Sequence, residues 1–111
     1  RRAQALRKVK TADVLITNPT RIAVALKYDE AHGLAPSVVA KGAGPLARQM
    51  RQLAWRHQVT VVQNPPLARA LYRHVALEGA VPPAWYGQVA RILVWVYAAR
   101  DARRAAAGAS A

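Results

Sequence analysis

The feature that most constrains this chain is a turn signal set between two short runs of strand-forming residues. Asp13-Val14-Leu15-Ile16-Thr17 is apolar and β-branched, and it stops at Asn18-Pro19-Thr20. Arg21-Ile22-Ala23-Val24-Ala25-Leu26-Lys27-Tyr28 follows at once. Ile22, Val24, Leu26 and Tyr28 lie on one side of a period-two pattern, with small or polar residues between them. The arrangement predicts two strands flanking an Asn-Pro-Thr turn, the first of them buried.

The rest of the chain alternates in the same way. Asp29 to Pro36 reads as a loop, and Ser37 to Lys41 as a third strand stopped by Gly42 and Gly44. Pro45 to His57 reads as a helix whose apolar stripe is Leu46, Met50, Leu53 and Ala54. Arg48, Arg51 and Arg56 lie mainly off that stripe and are candidates to face an acidic partner. Val59 to Val62 is a fourth strand. Asn64-Pro65 reads as an N-cap with proline at the first helical position. That helix runs through Leu67, Leu71 and Val75 to about Leu77, and Gly79 ends it. After Pro82-Pro83 a last helix spans about Ala84 to Arg100, with Val89, Leu93 and Val96 inward. Strands alternating with helices imply an α/β fold. We expect a single domain over residues 13–101, a small four-stranded sheet surrounded by about four helices. Residues 1–12 form a basic lead-in, either a helical arm or a linker, and residues 102–111 an Ala-rich flexible tail.

Composition narrows the function. Hydrophobic residues make up 53% and charged residues 20% of the 111, which is not a disordered composition. With no Phe, the core must be mostly Val, Leu, Ile and Ala. The absence of cysteine excludes disulfides, thiolate metal sites and a cysteine nucleophile. The longest apolar stretch, Val89 to Ala99, is interrupted by Arg91 and falls well short of the roughly 20 residues that span a bilayer. Arg1 to Lys10 is basic but no apolar segment follows it as in a signal peptide. The chain starts without Met, as expected of a fragment or a processed product. A net charge of +12 favours anionic neighbours: nucleic acid, anionic lipid or acidic proteins. Because 13 of the 17 basic residues are Arg, an Arg-rich solvated surface accounts for much of that charge equally well.

Most residues that carry chemistry are dispersed. His32, His57 and His74 sit in a loop and on two different helices, without metal-ligand spacing. Asp13, Asp29, Glu30, Glu78 and Asp101 form no acid–base pair, and Ser37 and Ser110 lie in no nucleophile motif. Gly42-Ala43-Gly44 lacks the rest of a dinucleotide or phosphate fingerprint. We therefore expect no cofactor, no metal and no turnover of an external substrate. One site remains. The side-chain amide of Asn18 can attack its own backbone carbonyl, form a succinimide and release Pro19 as a new N-terminus. The competing deamidation needs the next residue's N–H, which proline lacks. Asn64-Pro65 is the internal control: the helix-cap reading suffices there, and it is expected to be inert.

The wider context gives that turn a family setting. Val14 to Tyr28, with Asn18-Pro19-Thr20 at its centre, closely resembles the signature of the FlhB/YscU family. The resemblance continues through Val38 to Gly42, Gln63 to Tyr72 and the closing Val89 to Tyr97 helix, covering about residues 6 to 101. Lys27-Tyr28-Asp29, Asn64-Pro65-Pro66 and Val96-Tyr97 look more flagellar than injectisome. The resemblance implies the cytoplasmic domain of a type III secretion export-gate protein, linked by residues 1–12 to a membrane domain of several helices. It implies location at the cytoplasmic face of the bacterial inner membrane. It implies cleavage between Asn18 and Pro19 and a role in switching export substrate class. The implied partners are other membrane export components, a ruler protein and export substrates. One departure stands out: the family usually has His after the Thr, and here the residue is Arg21. Arginine stays protonated and cannot act as a base, so cleavage is expected to be retained but slower. The rival reading from another class is an Arg-rich nucleic-acid-binding domain, for which no recognition motif is present.

Overall fold

β1 (Val14–Asn18) and β2 (Ile22–Lys27) form where the two runs predict them, antiparallel and in register from Val14↔Leu26 to Asn18↔Ile22. The structure, a computed structural model, describes residues 2–32 and 34–110. Arg1 of the basic lead-in, Gly33 of the loop and Ala111 of the tail lie outside the described residues, as do the side chains of His32 and Ser110. β3 (Ser37–Ala43) pairs antiparallel with β2, and β4 (Thr60–Gln63) pairs parallel with β1, giving the order β3-β2-β1-β4. β1 therefore has a strand on each side, and its Val14, Leu15 and Ile16 are wholly buried.

The two-residue period sorts side chains between two cores. Val14, Ile16, Val24 and Leu26 face α3 (Pro65–His74) and α4 (Pro83–Ser110), meeting Leu67, Leu71, Val89, Leu93 and Val96. Leu15, Ala23 and Ala25 face α1 (Arg2–Lys10) and α2 (Gly44–Arg56), meeting Val9, Ala47, Met50 and Ala54. The result is a mixed four-stranded sheet between two pairs of helices. The basic lead-in is a docked helix rather than a loose linker. Val9 is fully buried, and Ala5 and Leu6 pack on the same core.

Three boundaries differ from the sequence reading by two residues or more, each for a physical reason. β3 runs on through Gly42, which pairs with Ala23. A Cβ at Gly42 would lie 2.5 Å from Met50 Sδ, so this glycine marks the close seating of α2 and does not end the strand. α3 ends at His74 and not near Leu77: Val75 turns to extended backbone (φ −113°, ψ 122°), and Lys41 Nζ donates to the carbonyls of Tyr72 and Val75 at 3.0 and 2.8 Å. The left-handed residue beyond it is Glu78 (φ 64°), not Gly79. The chain then runs beside β3, with the Glu78 N–H on the Val38 carbonyl and the Val38 N–H on the Gly79 carbonyl. α4 continues past Arg100 to Ser110, because the Ala-rich stretch has high helix propensity although residues 101–109 are exposed.

Asp13 ties the first strand to two other elements. It is buried, accepts the Tyr28 N–H at 2.7 Å and meets Arg100 Nη2 at 3.4 Å. The same carboxylate acts on the Tyr97 phenol. Burial first, and then the Asp13 charge, push its pKa from 10.0 to about 12, against the opposing pull of Arg100. The native state thus holds a proton between pH 10 and about 12 that the unfolded chain has lost. Stability contributed by Tyr97 is complete below pH 10 and falls as pH rises through that window. Urea unfolding followed from about pH 9 to about pH 11 is expected to show this decline, and Tyr97→Phe is expected to flatten it.

Candidate functional site

The Asn18–Arg21 turn is built by the strands on either side of it. Asn18 is the last residue of β1 and pairs with Ile22, so the chain must reverse within Pro19, Thr20 and Arg21. The Arg21 N–H donates to the Asn18 carbonyl at 2.9 Å, closing a four-residue β-turn. Proline at its second position and a positive φ at its third are the pattern of a type II turn. That third position favours glycine, yet Thr20 occupies it with φ 65°. A side chain held there stores local strain of about 1–3 kcal/mol.

Neighbouring backbone holds the turn from both sides. The Gly44 N–H, at the start of α2, donates to the Arg21 carbonyl at 3.0 Å. The Asn64 N–H donates to the Thr17 carbonyl at 3.0 Å. Thr17 itself is buried, and its hydroxyl has no hydrogen-bond partner among the described residues. Asn18 and Pro19 are half-buried, whereas Thr20 and Arg21 are exposed. The structure therefore brings Asn18, Pro19, Thr20 and Arg21 together with the Asn18 carbonyl oxygen already polarised by an N–H. Sequence reasoning missed the supporting roles of Gly44 and Asn64. The signal available was the Asn-Pro pair that both β1 and β4 run into, two parallel strands whose pairing stops at Thr17↔Gln63.

Asn64 provides the contrast. Its Oδ1 accepts the Leu67 N–H at 3.2 Å as the N-cap of α3, and its carbonyl accepts the Ala68 N–H at 2.8 Å. Both asparagine carbonyls thus accept an N–H, and what sets Asn64 apart is its side chain, committed as the cap of a regular helix start.

The remaining sequence candidates lie elsewhere. Arg51 and Arg56 line an open groove beside β4 with Trp55, while Arg48 is exposed on α2 and does not line it. His57 is exposed, and His74 stacks on Trp85 with ring centroids 5.6 Å apart. Among the described residues no group of three or more His, Asp or Glu could hold a metal ion. No helix among them is long and apolar enough to cross a membrane.

Comparison with known proteins decides the family. Residues 1–96 match the model of the FlhB HrpN YscU SpaS family. The chain belongs to this family. Among relatives of the FlhB/YscU group, it is 49% identical over 89 residues to the flagellar biosynthetic protein FlhB of Salmonella typhimurium, covering 80% of this chain and 23% of that protein. It is 50% identical over 92 residues to the FlhB of Bacillus subtilis, covering 83% and 26%. The chain thus spans about a quarter of the length of the curated relatives it matches. Its structure superposes on the crystallised cytoplasmic domain of FlhB from Shewanella putrefaciens with a TM-score of 0.86 at 33% identity, covering 95% of this chain and 81% of that one. It also superposes on a mutated EscU C-terminal domain with a TM-score of 0.81 at 26% identity, covering 85% and 94%. The mutated EscU domains include substitutions of an asparagine and of the proline directly after it.

Proposed function

We propose that this chain is the self-cleaving cytoplasmic domain of a type III secretion export-gate protein, and that it cuts its own backbone between Asn18 and Pro19. The observation that carries the chemistry is the 2.9 Å hydrogen bond from the Arg21 N–H to the Asn18 carbonyl, within a turn strained at Thr20. The Asn18 amide nitrogen attacks the carbonyl carbon of the same residue. Negative charge gathers on the carbonyl oxygen, where the Arg21 N–H receives it. The bond to Pro19 breaks, a proton passes to the proline nitrogen, and a succinimide remains at residue 18. Water then opens that ring. The donor to the oxyanion is backbone, so it is kept whichever side chain stands at position 21. This supports cleavage that tolerates Arg21, with a rate reduced by the loss of a side-chain base. The chain is its own substrate, and water enters only when the ring opens.

Membership in the family and the flagellar names of its relatives support the biological part of the reading. In this reading the domain lies at the cytoplasmic face of the inner membrane, carried by membrane helices elsewhere in a longer protein. α1 connects the two. The domain works with other export-apparatus components and a ruler protein to change the class of exported substrate. After cleavage the two fragments stay together, because β1 is paired with both β2 and β4.

Intact mass after denaturation, on fresh protein and after days at neutral pH, tests the chemistry. The expected products are one fragment ending at Asn18 and one beginning at Pro19, with no cut at Asn64-Pro65. A single uncut mass at both times would overturn the cleavage and leave the family fold and a docking role.

A further inference from the structure

The sheet has two edges, and they are treated differently. The outer side of β3 is covered by the chain around Glu78 to Val81, which bonds to Pro36 and Val38 and bridges Ser37 to Ala80. β4 is the other edge, and among the described residues no strand pairs with its outer side. In a parallel pair alternate residues turn their backbone groups to the same neighbour. The Asn64 N–H points to Thr17, so by alternation Val61 and Gln63 direct theirs away from the sheet. An unpaired edge of this kind is a ready template for another strand.

The surroundings of that edge are specific. α2 walls one side of it with Arg51, Trp55 and Arg56, and α4 walls the other with Arg91 and Trp95. Val61 lines both sides of the groove. Trp55 is 85% exposed and Trp95 58%, an unusual cost for side chains of this size. No carboxylate lines the groove among the described residues. Arg51 Nη1 is buried there with no hydrogen-bond partner among the described residues, an unmet donor on a cation.

We infer that β4 is a docking edge for an extended acidic segment of a partner protein, which adds to the sheet as a fifth strand. Its backbone pairs with Val61 and Gln63, its apolar side chains pack on Trp55 and Trp95, and its carboxylates meet Arg51 and the neighbouring arginines. Backbone pairing supplies affinity in this mode, and the flanking side chains supply selectivity. A second copy of this chain is a poor occupant, because each copy carries a net charge of +12. The unpaired edge favours a peptide over a nucleic acid, which has no strand backbone to offer Val61 and Gln63. None of the residues that line this surface belongs to the Asn18–Arg21 turn.

The test uses the 111-residue chain and labelled peptides of about eight residues. One alternates valine with glutamate, one alternates valine with lysine, and one is the glutamate peptide N-methylated at every second residue. An oligothymidylate of similar length is the fourth probe. Fluorescence anisotropy is expected to show binding of the glutamate peptide only. Amide resonances of Val61 and Gln63 are expected to shift most on its addition. Trp55→Ala and Arg51→Gln are each expected to weaken binding about tenfold or more. Should Arg51→Gln fail to fold, Trp55→Ala still decides, because that side chain is largely solvent-exposed. Failure of the glutamate peptide to bind overturns the inference. So does equal binding of the methylated peptide, or binding unchanged by Trp55→Ala. Binding of the oligothymidylate in place of the peptide, lost on Arg51→Gln, would reassign the groove to nucleic acid.

Discussion

Asn18→Ala is expected to stay a single intact chain under every condition in which the proposed cleavage is followed. Alanine has no amide nitrogen, so no succinimide can form, while the turn keeps its Pro19 and its Arg21 N–H bond. The folded structure should change little, since Asn18 is half-buried at the end of a strand. The companion variant works in the opposite direction. Arg21→His places a group that titrates near neutrality beside the reacting amide. A positioned base contributes about 10²–10⁴-fold in rate, and we expect an acceleration near the lower end because residue 21 is exposed. Cleavage half-lives from mass spectrometry measure it directly. In Arg21→His the rate should also rise between about pH 6 and pH 7 as the imidazole loses its proton. Equal rates for the natural chain and the Arg21→His variant would mean that the backbone donor and the strained turn suffice alone, and that the side chain at this position has another role.

Asp13→Ala is expected to be the most destabilising polar substitution in the domain. The carboxylate accepts the Tyr28 N–H and meets Arg100 Nη2, so its loss leaves donors from the end of β2 and from α4 unpaired together. An orphaned buried donor costs about 1–3 kcal/mol, and these two partly buried ones together suggest roughly 3 kcal/mol in total. Set against a total stability of about 5–15 kcal/mol, that is a large share. It corresponds to a fall in Tm of about 12–20 °C. Asp13→Asn keeps an acceptor for Tyr28 and should lose less. A loss below about 1 kcal/mol in Asp13→Ala would show that water takes the place of the carboxylate.

What could be read from the residues follows from how local each signal is. The strands, the two-faced alternation and the helix cap at Asn64 depend on a few neighbouring side chains, and each appears in the structure. The turn was legible because Asn18-Pro19 interrupts an otherwise continuous pattern. Its supports were not legible. Gly44 and Asn64 reach the turn only through the sheet order, which places the ends of β1 and β4 side by side. Gly42 carried a misleading signal, since a glycine that makes room for Met50 looks the same in sequence as one that ends a strand. The docked α1 was equally hidden. Its mostly polar sequence says little until the small residues Ala23, Ala25 and Ala40 are seen beneath Val9 and Met50. Asp13 appeared as one scattered acid because its partners are 15, 84 and 87 residues away in sequence, at Tyr28, Tyr97 and Arg100.

The central place of β1 has a mechanical consequence. A cut after Asn18 would turn the middle strand of the sheet into a separate peptide, clipped between β2 and β4 and anchored by Leu15 in one core and Ile16 in the other. Tension applied through α1 would then load that strand along its length, shearing two hydrogen-bond ladders at once. No covalent bond beyond Asn18 would share the load. The uncut domain can only stretch under such a pull, whereas the cut domain can release its own core strand. The same strand pairing that hides the break at rest would set the force at which the two pieces part.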